Sequence, residues 1–241
     1  MRNEDGKPAS DSTTLTIELP TGATISGLLE APADAEACYV FAHGAGAGME
    51  HVFMAAMAHG LAQRRIATLR FQFPYMEQGS RRPDPPKAAQ AAVRAAVLEA
   101  ARRLPDMPLF AGGKSYGGRM TTQAQAAEPL AHVRGIVLVG FPLHAAGKPS
   151  TERASHLADV QVPMLFLQGT RDALADLDLV RQATGKLGSR ALLHIVEGGD
   201  HSFHVLVRSG RNDEQVHEEL LDTMAAWISS GEAGWRATHS K

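Results

Sequence analysis

The stretch Gly112-Gly113-Lys114-Ser115-Tyr116-Gly117-Gly118 constrains this chain more than any other. An apolar run, Leu109-Phe110-Ala111, leads into it, and a helix-forming segment beginning at Arg119-Met120 leads out. A serine with glycine two positions before it and two positions after it fits a sharp strand-to-helix turn. At such a turn the chain passes so close to itself that a Cβ on either flank would clash, and the serine hydroxyl stands exposed at a strand end. The helix that starts there also aims its positive dipole end at the same point. A fold built on this turn needs a sheet whose strands lead into helices.

The rest of the chain follows that pattern. Strands are expected at Thr14–Leu19 and Thr24–Leu29, joined by the turn Pro20-Thr21-Gly22. Six more follow at Cys38–Ala42, Ile66–Phe71, Leu109–Gly112, Gly135–Val139, Met164–Leu167 and Ala191–Val196. Most are short, continuous and apolar, as strands covered on both faces should be. Helical segments alternate with them at about 51–64, 88–104, 117–127 and 214–228. This order predicts a single α/β domain over residues 14–230: a mostly parallel sheet, helices on both faces, and the N-terminal hairpin as an antiparallel edge. Residues 1–13 and 231–241 read as flexible tails.

Bulk properties narrow the function classes. A net charge of -2 argues against general affinity for nucleic acid or an anionic membrane, and the basic pairs are scattered. The polar opening carries no secretory pattern, and no apolar run approaches the ~20 residues needed to cross a bilayer. The single cysteine, Cys38, fits a reducing compartment and reads as a small buried hydrophobe. These features predict a cytoplasmic protein with no nucleic-acid or membrane partner. Nothing indicates a metal or an organic cofactor, and the oligomeric state stays open.

In an open α/β sheet, reactive groups gather at the carboxyl ends of the strands. Asp172 lies there after Met164–Leu167, and His201 lies there after Ala191–Val196, behind Gly198-Gly199-Asp200. The order Ser115, Asp172, His201 matches that of Ser–Asp–His hydrolase triads, and the intervals accommodate the intervening elements. His201 would take the serine proton, and Asp172 would orient the imidazole. Asp176 and Asp178 are rivals to Asp172, but they fall deeper in the following helix. The backbone N–H of Tyr116 and one from the loop His43-Gly44-Ala45-Gly46-Ala47-Gly48 would stabilise an oxyanion, with Ala45 favoured over Gly46. His43 would shape that loop by hydrogen bonds, and Asp200 reads as a turn residue.

The motifs His43–Met49, Arg70-Phe71-Gln72-Phe73-Pro74-Tyr75-Met76-Glu77 and Gly112–Arg119 resemble the dienelactone-hydrolase-like branch of α/β-hydrolases. Within it, the chain is most similar to a group resembling the hydrolase-like domain of an NSL chromatin-complex subunit. The resemblance implies the α/β-hydrolase fold across residues 14–230. Dienelactone hydrolases proper use a cysteine nucleophile where this chain has Ser115, so dienelactone cleavage is not expected. The resemblance also singles out Arg70–Glu77 as a border of the site. Arg70 either binds an anionic substrate group or braces the loop by pairing with Glu77, and Tyr75 and Met49 are candidate pocket residues. Lys114 and Arg119 flank the nucleophile; Lys114 is a candidate for substrate attraction, and Arg119 reads as a helix-surface residue. The interval Phe141–Pro163, where larger relatives insert a cap, holds a loop and at most a short helix near 151–157. An open site of that kind suits a small-molecule ester, with a thioester or small peptide amide as the alternative. A non-catalytic interaction domain is the reading from another class.

Overall fold

A computed structural model describes residues 12–239, with side chains through residue 229. The outermost parts of both expected tails, residues 1–11 and 240–241, lie outside the described residues. Among the described residues the sheet has eight strands: β1 (Thr13–Glu18), β2 (Thr24–Glu30), β3 (Ala37–Ala42), β4 (Ile66–Phe71), β5 (Leu109–Lys114), β6 (Val133–Val139), β7 (Met164–Gly169) and β8 (Ala191–Val196). Their spatial order is β1-β2-β4-β3-β5-β6-β7-β8. From β4 across to β8 every pairing is parallel. The hairpin β1–β2 forms one edge, and β2 also pairs antiparallel with β4, so β2 alone runs against the rest.

Among the described residues, six α-helices flank the sheet: α1 (Val52–Gln63), α2 (Pro74–Glu77), α3 (Pro86–Arg103), α4 (Tyr116–Ala127), α5 (Leu177–Lys186) and α6 (Asp213–His239). Alternation along each strand divides the core in two. Cys38, Val40, Ile136, Leu138, Met164 and Phe166 point to the layer that includes α3, α4 and α5. Tyr39, Phe41, Val137, Val139, Leu165 and Leu167 point to the layer that includes α1 and α6. Strands buried on both faces carry no polar face, which is why their sequences read as unbroken apolar runs. Cys38 is fully buried in the first layer, and burial pushes its thiol up to about 12.

Within Phe73–Pro86, residues Pro74–Glu77 form the short helix α2, with proline at its first turn. Two expectations are corrected. The helix after β7 starts later than expected, and Asp176 is its N-cap, its carboxylate accepting from the N–H groups of Asp178 and Leu179. The last helix continues to His239, past the expected end at residue 228, because no proline stops it there. The interval Phe141–Pro163 contains one 3-10 segment, Glu152–Asp159, lying along α4.

Candidate active site

Ser115 stands between the end of β5 and the first residue of α4, with φ +51° and ψ −114°. A side chain rarely adopts that conformation, so the surroundings must hold it in place. They do so through close approach. A Cβ on Gly113 would lie 2.5 Å from the Ala42 carbonyl oxygen, and one on Gly117 would lie 2.4 Å from the same atom. The Ser115 N–H donates to the Val139 carbonyl at 3.0 Å, which ties the turn to β6. The spacing of glycines around the serine therefore follows from contact with β3, the neighbouring strand.

His201 reaches this serine from the turn after β8, 86 positions further along the chain, with Nε2 at 2.8 Å from Ser115 Oγ. Its Nδ1 lies 2.7 Å from Asp172 Oδ2. With the ring proton on Nδ1 and donated to the carboxylate, Nε2 is left to accept the hydroxyl proton. The Asp172 side chain is fully buried. Its Oδ2 also accepts from Gln168 Nε2 at 2.6 Å, and its Oδ1 from the Leu174 N–H at 2.8 Å. Asp200 does not enter this chain of bonds. Its Oδ1 accepts from the N–H groups of Ser202 and His204, and so shapes the turn that presents His201.

The loop after β3 borders the serine: a Cβ on Gly44 would lie 3.9 Å from the Ser115 Cβ. His43 anchors that loop from beneath, bonded to the Gly44 carbonyl at 2.8 Å and accepting the Phe73 N–H on Nε2 at 3.1 Å. Burial pushes its imidazole down to about 4. The Gly46 N–H donates to the Tyr75 hydroxyl at 2.9 Å. Tyr75 is buried among His43, Phe73 and Tyr116. Asp84 accepts the Tyr75 N–H at 2.9 Å, which fastens the far end of the Phe73–Pro86 segment to the same cluster.

The other sequence candidates sit differently from expectation. Arg70 is buried, donates to the Met49 carbonyl at 3.2 Å, and lies 3.6 Å from Glu30. The expected brace with Glu77 is corrected: Glu77 instead accepts from the Ser26 N–H at 3.0 Å and the Ser26 hydroxyl at 2.8 Å. Met49 is buried and its N–H donates to Gln72 Oε1 at 2.9 Å. Lys114 Nζ donates to the His201 carbonyl and lies 5.2 Å from the Phe203 ring centroid and 5.9 Å from that of Phe53. Burial lowers this ammonium to about 8, against the opposing pull of Asp172 and Asp200. Its hydrogen bond thus goes to the backbone that carries His201.

Two contributors were absent from the sequence reading. Gln168 holds the triad-type carboxylate, and its trace was a lone amide ending the apolar run Met164-Leu165-Phe166-Leu167. The bond from Gly46 to Tyr75 left no trace, because those residues come from loops after different strands.

A family model described as an alpha/beta hydrolase domain matches residues 35–229. Among solved structures, the chain is similar to a dienelactone hydrolase from Anabaena variabilis, at 18% identity and a TM-score of 0.75, covering 92% of this chain and 98% of that one. It is also similar to a serine hydrolase without a lid from Xanthomonas campestris, at 21% identity and a TM-score of 0.70, with the same coverage of 92% and 98%. An esterase domain of a Rhodothermus marinus protein matches at 14% identity and a TM-score of 0.68, covering 90% of this chain and 97% of that one. At these identities the likeness is one of fold. With the strand order, the strained serine turn and the matched family model in agreement, the chain belongs to the alpha/beta hydrolase family.

Proposed function

We propose that this protein is a serine hydrolase that cleaves small carboxylic esters through an acyl-enzyme. The observation that carries the reading is the continuous bond path Ser115 Oγ–His201–Asp172, with heavy-atom distances of 2.8 Å and 2.7 Å. Ser115 attacks the ester carbonyl carbon while His201 Nε2 takes its proton. Asp172 keeps the ring in the required tautomer and stabilises the imidazolium that forms. The tetrahedral oxyanion accepts from the N–H of Tyr116, whose place at the start of α4 leaves it without an acceptor in the helix. Ala45 supplies the second donor; the neighbouring Gly46 N–H is already engaged by Tyr75. On collapse, the ester C–O bond breaks and His201 returns the proton to the departing alcohol. Water, activated by the same imidazole, then attacks the acyl-serine carbonyl; the acid leaves and the Ser115 hydroxyl is restored.

Partial exposure of Ser115 and His201 and the short covering segment support a small, openly presented substrate over a long lipid chain. The names of the structural neighbours, a serine hydrolase and an esterase domain among them, also favour ester chemistry. A series of p-nitrophenyl esters from acetate to decanoate tests the proposal. Wild type is expected to turn over the short members fastest, and Ser115→Ala to lose at least about a thousandfold in kcat. A catalytically silent binding domain would leave all of these esters uncleaved.

A further inference from the structure

The residue directly before the nucleophile also holds the base. Lys114 ends β5, and its Nζ donates to the carbonyl oxygen of His201, 87 positions further along the chain. The rings of Phe203 and Phe53 stand 5.2 Å and 5.9 Å from this ammonium. Gly140, after β6, closes another side. Its φ is +68°, and a Cβ there would lie 2.8 Å from Lys114 Nζ and 3.7 Å from His201 Cε1. A side chain at that position would fill the space that the ammonium and the imidazole share. The Lys114 stem runs beside the loop after β3, where a Cβ on Gly44 would lie 3.6 Å from its Cγ.

The turn that carries His201 closes largely on itself. The Phe203 N–H donates to the Asp200 carbonyl at 2.9 Å and the Asp200 N–H to the His204 carbonyl at 3.1 Å, while the Asp200 carboxylate takes two further N–H groups. Phe203 has φ +65°, a conformation that a side chain rarely adopts, so the contacts around it must hold it there. Lys114 supplies a hold from outside: it ties this turn to β5, the strand that delivers Ser115.

Keeping a charge in this slot works against folding. Burial holds the ammonium down to about 8 from an ordinary 10.5, against the opposing pull of Asp172 and Asp200. Between those values the unfolded chain binds a proton that the folded chain gives up, so the penalty is complete below pH 8 and fades as pH rises toward 10.5. The two aspartates and the His201 imidazole are the titratable groups that face the ammonium; α1 and the loop after β3 present Phe53 and Gly44. We propose that Lys114 is a positioning residue for the general base, clamping the His201 main chain to the residue next to Ser115 so that Nε2 stays within bonding distance of the hydroxyl. This inference rests on the hydrolase reading above and adds a residue to its machinery. A neutral amine still donates, but a charge-assisted bond is roughly twice as strong, so the clamp loosens as pH rises through 8.

The test compares wild type, Lys114→Met and Lys114→Arg on p-nitrophenyl acetate across neutral and alkaline pH. Lys114→Met, which fills the slot without the charge, is expected to keep or raise the Tm, to lower kcat by about ten- to a hundredfold and to leave KM within about threefold. Wild-type kcat is expected to fall above about pH 8. Lys114→Arg, whose charge does not titrate there, should recover part of the lost rate and show no such fall. A Lys114→Met protein with wild-type kcat, or one that loses rate only in proportion to its folded fraction, overturns the positioning role. Hydrogen exchange over residues 199–205 needs no substrate and is expected to be faster in Lys114→Met; equal exchange in the two proteins overturns the clamp. Wild type that cleaves no ester overturns the hydrolase reading instead, and the exchange rates still decide the clamp.

Discussion

His43 shows how one buried residue couples the oxyanion loop to the stability of the protein. Both ring nitrogens are bonded inside the core, and burial holds the imidazole down to about 4 against an ordinary value of 6.5. The unfolded chain therefore binds a proton between those values that the folded chain refuses. The stabilisation is complete above pH 6.5 and is lost as pH falls toward 4. Between pH 7.5 and 5 this single group costs about 2 kcal/mol. Urea midpoints at the two pH values should fall steeply in wild type and less steeply in His43→Asn, whose side chain does not titrate. Equal slopes in the two proteins would contradict the assignment. His156, whose imidazole burial also pushes down to about 4, contributes in the same direction. Ser115, Asp172 and His201 were legible in the sequence because each sits directly after a recognisable apolar strand. The partner of Arg70 was not. Glu77 was the nearest carboxylate along the chain, yet Glu30 of β2 lies beside Arg70 across a strand pairing that no local pattern encodes.

Among the elements, the serine turn is the most tightly specified. Gly117 has no room for a methyl group, since a Cβ there would meet backbone of β3 on two atoms within 2.6 Å. Gly117→Ala is expected to destabilise the fold by about 3 kcal/mol or more and to displace Ser115, so that ester turnover falls with stability. Gly185 in α5 provides the contrast. It is exposed, its φ is not positive, and nothing lies within 4 Å of its Cβ position. Gly185→Ala should raise stability by about 0.5–1 kcal/mol. Chemical denaturation of both variants measures the pair; a Gly117→Ala protein as stable as wild type would remove the close-approach argument. Strand positions were readable to within two residues at most ends, because burial on both faces leaves an unmistakable apolar run. Helix starts were less readable. The chain from Thr170 to Leu179 offers three aspartates, and only the tertiary bond from Asp172 to His201 leaves Asp176 as the cap.

At the scale of the molecule, the parallel sheet explains why three distant residues meet. Strands β5, β7 and β8 all point their carboxyl ends the same way, so the turns after them share one edge of the sheet. Order in the chain then becomes order in space. That much follows from the alternation of strands and helices alone. What sequence could not supply was the cross-linking of the loops themselves: Lys114 to the His201 carbonyl, Tyr75 to Gly46, Glu77 to Ser26. Each joins residues from different strand ends, where neither periodicity nor spacing carries information. The central claim is that Ser115 is an activated nucleophile. Incubation with a fluorophosphonate, followed by intact-mass and peptide mass spectrometry, tests it most directly. The account predicts a single covalent adduct on the peptide containing Ser115, absent in Ser115→Ala and strongly slowed in His201→Ala. A folded wild-type protein that takes up no adduct, or one labelled at another residue, would contradict it.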